Sequence, residues 1–454
     1  MTTVDRDRLQ SLVARERTSY EAAHPRSQAA AGSGGSLIGG VPMTWMAMWA
    51  GGFPLQLAGA KGNQLTDLDG HTYVDFCLGD TGAMAGHSPE PTVRAVRRRI
   101  EELGGITTML PTEDAGWVGD ELARRFGLPK WSFSLTATDA NRWAIRIARH
   151  LTGRNKILVY NHCYHGSVDE TVVELATDGS VIARPGNVGA PVDLAVTTRC
   201  VEFNDLVALE RELAHGDVAV VLAEPALTNI GIVLPDPGYH QALRELTRRY
   251  GTLLAIDETH TFSAGPGGCT QAWGLDPDIL TIGKAIAGGV PAGAYGLTAE
   301  LAERISNATD ADLVDVGGVG GTLAGNGLST AAMRATLGEV LTDQAFPAMI
   351  ALAEAFTAGV QDVIDRTGVP WSVTRLGARA EYRFCSPEPR NGGESAAAID
   401  DGLNEYLHLY TVNRGILMTP FHNMALMCPA TTTAHVDRHA EVFAAAVDEL
   451  VEAT

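Results

Sequence analysis

The segment from Leu253 to Gly296 constrains this chain more than any other. An apolar run, Leu253 to Ile256, stops at two carboxylates, Asp257 and Glu258; a second run, Ile279 to Ile282, ends in Gly283-Lys284 and a Gly/Ala/Pro loop. Short apolar runs bounded by turn residues read as buried parallel strands. Polar groups just past such strands sit where open α/β sheets bind ligands. One acid and one amine are therefore offered to one crevice, with glycine beside the amine leaving room for a flat ligand.

The lysine count sharpens this reading. The chain has four lysines, Lys61, Lys130, Lys156 and Lys284, against 30 arginines. The first three lie in polar contexts beside turns or strand starts. Lys284 alone is enclosed by apolar and glycine residues, where desolvation favours a neutral, nucleophilic amine; the plain alternative is a strand-end lysine reaching to solvent. A lysine that condenses with an aldehyde and a carboxylate that keeps a pyridine nitrogen protonated are what pyridoxal phosphate requires.

Strands and helices alternate around this segment. Glu113–Phe126 reads as a helix, Trp131–Leu135 as a strand, and Asp139–Leu151 as a helix with Ala140, Trp143, Ala144, Ile147 and Leu151 on one face. Ile157–Tyr160 and Val218–Ala223 read as strands, and Tyr239–Tyr250 as a helix. The pattern predicts an α/β fold with a mostly parallel sheet covered on both faces. Upstream, residues 5 to 22 have helical spacing, 27 to 42 read as a Gly-rich linker or close-packed loop, and Pro54 to Phe76 as a β-meander. After Ser329 a long helical region, strand-like VTRLGARAEYRF and two more helices suggest a smaller α+β lobe. The expected division is 1–75 as an N-terminal part of the small domain, 76–328 as the large domain and 329–454 as the C-terminal small domain.

Composition narrows the class of partner. A net charge of −20 argues against nucleic acid or an anionic membrane surface. The six cysteines include no C-x-x-C pair, the charged N-terminus is unlike a signal peptide, and no run of 18 apolar residues occurs. A cytoplasmic enzyme acting on small molecules is the expectation.

With these residues in view, the chain resembles class III pyridoxal-phosphate aminotransferases from about Ser36 to the C-terminus. It is most similar to the branch containing glutamate-1-semialdehyde aminomutase and β-amino-acid or amine transaminases. The resemblance implies a fold type I transferase, pyridoxal 5'-phosphate as cofactor, and a homodimer with shared active sites. It implies Lys284 and Asp257 as catalytic residues. Thr136-Ala137-Thr138-Asp139-Ala140 falls on the family's Ser-Gly-Thr-Glu-Ala phosphate loop, with Ala137 in place of its glycine; an ordinary helix cap is the alternative. Tyr164 and His165 match the family's Tyr-His-Gly, against a packing role for both. Glu224, in Glu-Pro, is given a supporting role on the cofactor face. His260 stands where Gln or Met is common and either contacts the cofactor or is simply packed. Thr322, after a glycine run, would complete the phosphate site of the neighbouring subunit.

The substrate expectation rests on a departure. The aminomutase places an arginine soon after a Gly-Gly-Val; here Gly39-Gly40-Val41 leads into Pro42-Met43-Thr44-Trp45-Met46-Ala47-Met48-Trp49. Loss of a carboxylate clamp removes a charge-assisted contact worth about 1.5–3 kcal/mol. Either Trp45 and its neighbours line an apolar amine pocket, or Arg379 or Arg383 supplies a clamp for a β-amino acid or keto acid. A transaminase is therefore favoured, with the aminomutase, or a decarboxylase or racemase on the same fold, as alternatives. No metal site is expected.

Overall fold

The computed structural model describes residues 4–33, 35–189, 192–307 and 320–452. They form two compact units: Met1–Pro89, Ala345–Glu388 and Ala398–Thr454 make the first, and Glu90–Gln344 with Pro389–Ala397 the second. The second unit thus begins later than the expected 76, runs on past 328, and recruits a short return of the chain.

The second unit is built on seven strands: β1 (Lys130–Ser134), β2 (Lys156–Tyr160), β3 (Thr198–Val201), β4 (Val218–Ala223), β5 (Leu253–Asp257), β6 (Ile279–Ile282) and β7 (Gly293–Leu297). Their order is β1-β7-β6-β5-β4-β2-β3. All run parallel except β7, which is antiparallel to both neighbours. Strands β4 and β6 are buried along their whole length, as continuous apolar runs require. The helix Ala137–Thr152 packs on β4, β6 and β7. It begins where the Thr136 hydroxyl accepts the Asp139 N–H at 3.2 Å and ends at Gly153 in the left-handed region.

Two readings of the chain need correction. The stretch after Lys284 is not all loop: Gly293-Ala-Tyr-Gly-Leu is strand β7, disguised by its glycines. Those glycines answer to crowding, since a Cβ at Gly293 would lie 2.4 Å from Ser134 Oγ and one at Gly296 2.7 Å from the Trp131 ring. The Gly-rich 27–42 segment likewise opens inside a helix, Pro25–Ala31, that its alanines sustain.

The first unit carries helix Arg6–Ala23 and the meander Leu57–Lys61, Gln64–Asp67, Thr72–Asp75, extended in parallel by Ile416–Leu417. A second sheet joins Ser372–Leu376, Arg379–Arg383 and Met424–Leu426. Helix Ala345–Thr367 packs against Thr433–Val451. The former is long and apolar enough to cross a membrane by length and composition, yet it buries Phe346, Met349, Phe356 and Val360 in this unit and carries Glu354, Asp362 and Asp365.

Candidate active site

Five parallel strands of the second unit deliver their carboxyl ends to one edge of the sheet. Asp257 is the last residue of β5; Lys284 stands two residues past β6, Glu224 one past β4, Tyr164 and His165 shortly past β2, and Ala137 and Thr138 just past β1. Register makes this concrete, because Asp257 pairs directly with Thr281 on β6.

Asp257 is buried and held from three sides. Its Oδ2 accepts from Asn141 Nδ2 at 2.8 Å and from His165 Nδ1 at 2.9 Å, and its Oδ1 accepts the Thr259 N–H at 3.0 Å. Burial alone would drive this carboxyl upward, but the hydrogen bond and charge of His165, aided by Thr259 and Asn141, hold it at about 2. Burial would push the His165 imidazole down; Cys163 beside it and Asp257 raise it well above its ordinary value instead. A carboxylate has about four acceptor positions, so this one retains room for a further donor.

Sequence reasoning missed Asn141. It is fully buried in helix Ala137–Thr152, takes the Thr281 hydroxyl on its Oδ1 at 2.6 Å, and also donates to the His165 carbonyl at 3.2 Å. An amide on an otherwise apolar helix face was the available signal. The duty of Glu258 was likewise not legible. Fully buried, it accepts from Thr261 Oγ1, the Cys269 and Thr270 N–H groups and Thr270 Oγ1, clasping the loop that follows β5.

Lys284 adopts a left-handed φ of 49°, rare for a side-chain-bearing residue and a sign of local strain. Its Nζ lies 2.8 Å from His260 Nε2. The two nitrogens share one hydrogen bond, whose direction follows the protonation of the amine and the tautomer of the imidazole. The loops close tightly on the helix start: a Cβ at Gly283 would lie 2.9 Å from the Ala137 nitrogen, and one at Gly166, at φ 78°, 2.0 Å from Thr138 Oγ1. Thr138 Oγ1 accepts the Ser167 N–H at 3.3 Å. Beside Asp257, the buried Thr259 hydroxyl has no hydrogen-bond partner among the described residues.

A model of the aminotransferase class-III family matches residues 45–447. The chain belongs to this family. The glutamate-1-semialdehyde 2,1-aminomutase of Persephonella marina is 32% identical over 410 residues, covering 88% of this chain and 92% of that protein. Among solved structures, a glutamate-1-semialdehyde aminomutase from Pseudomonas aeruginosa is 48% identical with a TM-score of 0.95, over 98% of this chain and 99% of that one. A β-phenylalanine aminotransferase from Variovorax paradoxus is 27% identical with a TM-score of 0.86, over 96% and 97%. The fold type I architecture of these class-III enzymes is therefore that of this chain.

The remaining expected residues are placed as follows. Glu224 is buried, and its Oε2 accepts the Thr228 hydroxyl; Tyr164 is half-buried. Thr322 is exposed, while Gly317 to Val319 of its glycine run lie outside the described residues. Trp45, Arg379 and Arg383 belong to the first unit. Trp45 sits in a short 3-10 turn with its ring 5.5 Å from Phe421. Arg379 is fully buried and donates to the Thr81 hydroxyl, and Arg383 is buried on the same strand.

Proposed function

We propose that this protein is a pyridoxal-phosphate-dependent transaminase that moves an amino group from an amine or β-amino acid to a keto acid or ketone. The observation that carries the reading is the placement of a strained, imidazole-contacted Lys284 just past the strand that neighbours the one ending in an anionic, pinned Asp257.

The donor set fits the cofactor. Lys284 supplies an amine for the aldehyde. Asp257 supplies a carboxylate with an acceptor position to spare for the ring nitrogen. The start of helix Ala137–Thr152 supplies N–H groups and the Thr138 hydroxyl for the phosphate. Tyr164 and Thr259 border the same sheet edge, the first with an aromatic face and the second with an unpartnered buried hydroxyl. Pyridoxal phosphate, when bound, serves as an electron sink for the carbon that loses its proton.

The chain's own residues do the rest. With the cofactor bound, Lys284 Nζ would be the base and acid that carries the proton, and His260 Nε2, 2.8 Å away, would orient it through the hydrogen bond they share. Asp257, kept ionised by His165 and Asn141, would hold the ring nitrogen of the cofactor and balance its positive charge. Glu224 holds the loop after β4 through Thr228.

A homodimer with shared sites belongs to the same reading. Thr322 is exposed beside exposed Leu323, and Ile106, Met109 and Leu110 expose further apolar surface on the same unit. An aminomutase is the second reading, favoured by the names of the relatives above; the absence of an arginine from Pro42–Trp49 favours the transaminase. Incubation with aryl or alkyl amines, or β-amino acids, plus pyruvate should release alanine. Turnover of glutamate-1-semialdehyde alone, with no transfer to an external acceptor, would instead establish the aminomutase. Loss of β-amino-acid but not simple-amine turnover in Arg379→Ala or Arg383→Ala would identify the clamp.

A further inference from the structure

The first unit holds a second cluster of chemistry that the amino-transfer reaction does not use. His24 separates helices Arg6–Ala23 and Pro25–Ala31; Asp67 ends the second meander strand; His71 lies in the turn before the third. His24 and Asp67 are buried, whereas the His71 side chain is 45% exposed. One ligand-capable atom from each lies within 4.8 Å of the others. Asp67 Oδ2 is 3.5 Å from His24 Nε2 and 3.2 Å from His71 Nδ1.

The protons of this cluster do not add up. His24 Nδ1 is 2.6 Å from the Tyr20 carbonyl, which only accepts, so Nδ1 carries a hydrogen and Nε2 of the neutral ring presents a lone pair. That lone pair lies 2.7 Å from the Tyr73 hydroxyl, and the same hydroxyl lies 2.7 Å from Asp67 Oδ2. Tyr73 has one proton for two acceptors. Whichever it serves, the other contact joins two lone pairs unless a positive centre, a metal ion or a proton on His24 Nε2, lies among them.

We propose that this cluster is a binding site for a divalent transition metal of the zinc, cobalt or nickel class. His24 Nε2, Asp67 Oδ2 and His71 Nδ1 are its ligands. Two imidazoles and one carboxylate select such ions over magnesium or calcium. Three protein ligands with a further position open to the exposed side of His71 are a common zinc arrangement. The supporting contacts are those such a site needs. A backbone carbonyl fixes the His24 tautomer, and the His71 N–H holds Asp67 Oδ1 at 2.8 Å, orienting the carboxylate. The bound ion ties the N-terminal helices to the meander.

The site is tested on the cofactor-loaded protein by equilibrium dialysis against zinc and by the visible spectrum of added cobalt. The expected result is one ion bound per chain, a cobalt spectrum typical of nitrogen and oxygen ligands, and a melting temperature that rises with zinc. His71→Ala changes an exposed ligand without disturbing the core; it should weaken binding by more than about tenfold. Asp67→Asn should do the same, with folding verified by circular dichroism. Zinc uptake unchanged in both variants would place the ion elsewhere and overturn the assignment. No uptake by the wild-type chain, with His24 titrating as a buried imidazolium by NMR, would show that a proton supplies the missing charge and would equally overturn it.

Discussion

In the proposed reaction the chemistry falls to a few atoms at strand ends. The strand-end placement of Asp257 and Lys284 was legible in the sequence because each interrupts an apolar run, and a polar group at that position has few structural excuses. Asn141 and the clasp made by Glu258 were not, since both depend on partners distant in sequence: Asn141 on residues 116 and 140 positions away, Glu258 on Cys269 and Thr270. His260 is the residue whose contact says most about mechanism. In His260→Gln the lysine keeps a hydrogen-bonding neighbour but loses the imidazole. Its kcat should fall by about 10²-fold while the cofactor remains attached. Unchanged turnover would leave His260 as packing alone. Glu258→Gln sets an NH₂ group against N–H donors in a buried clasp, and should lower stability by about 1–3 kcal/mol in thermal or denaturant melts.

Elements were legible wherever periodicity was strong and obscured wherever contact dictated composition. Helix Glu113–Phe126 and strand Val218–Ala223 match their expected limits because their apolar pattern is uninterrupted. Strand β7 escaped because close neighbours exclude side chains from Gly293 and Gly296, and a glycine-rich strand looks like a loop. Gly166 shows the same constraint at the active-site edge. Its φ of 78° and its approach to Thr138 leave no space for a methyl group. Gly166→Ala should therefore cost about 1–3 kcal/mol of local strain and push the helix start aside. The expected outcome is faster cofactor loss on dialysis with a lowered melting temperature; normal retention would show that this loop does not shape the phosphate end.

At the scale of the whole molecule, the two units should respond differently to acid. The lobe character of the C-terminal region was visible in the sequence. The return of Pro389–Ala397 to the second unit was not, because it rests on contacts such as Asn204 with the Arg390 carbonyl. In the first unit, burial lowers His408 to about 4 and His439 to about 3. Their folded values lie below the ordinary value of about 6.5, so the unfolded chain binds protons first. Stability is then full above that value and falls as pH drops from about 6.5 towards 4, by on the order of 3 kcal/mol for each group. Asp257 acts in a lower window: its contribution is intact above about 4 and is lost only as pH approaches 2. His439 Nε2 also has no hydrogen-bond partner among the described residues, and its ring stacks on Phe443. His439→Phe should raise the melting temperature at pH 7 and flatten its decline towards pH 5. A steeper decline would contradict the assignment.

The central claim concerns one amine among four. Borohydride reduction of the cofactor-loaded protein, followed by peptide mass mapping, should find the pyridoxyl group on Lys284 alone, and Lys284→Ala should carry none while turnover falls by at least about 10²-fold. A label on Lys61, Lys130 or Lys156, or full turnover without Lys284, would contradict the account.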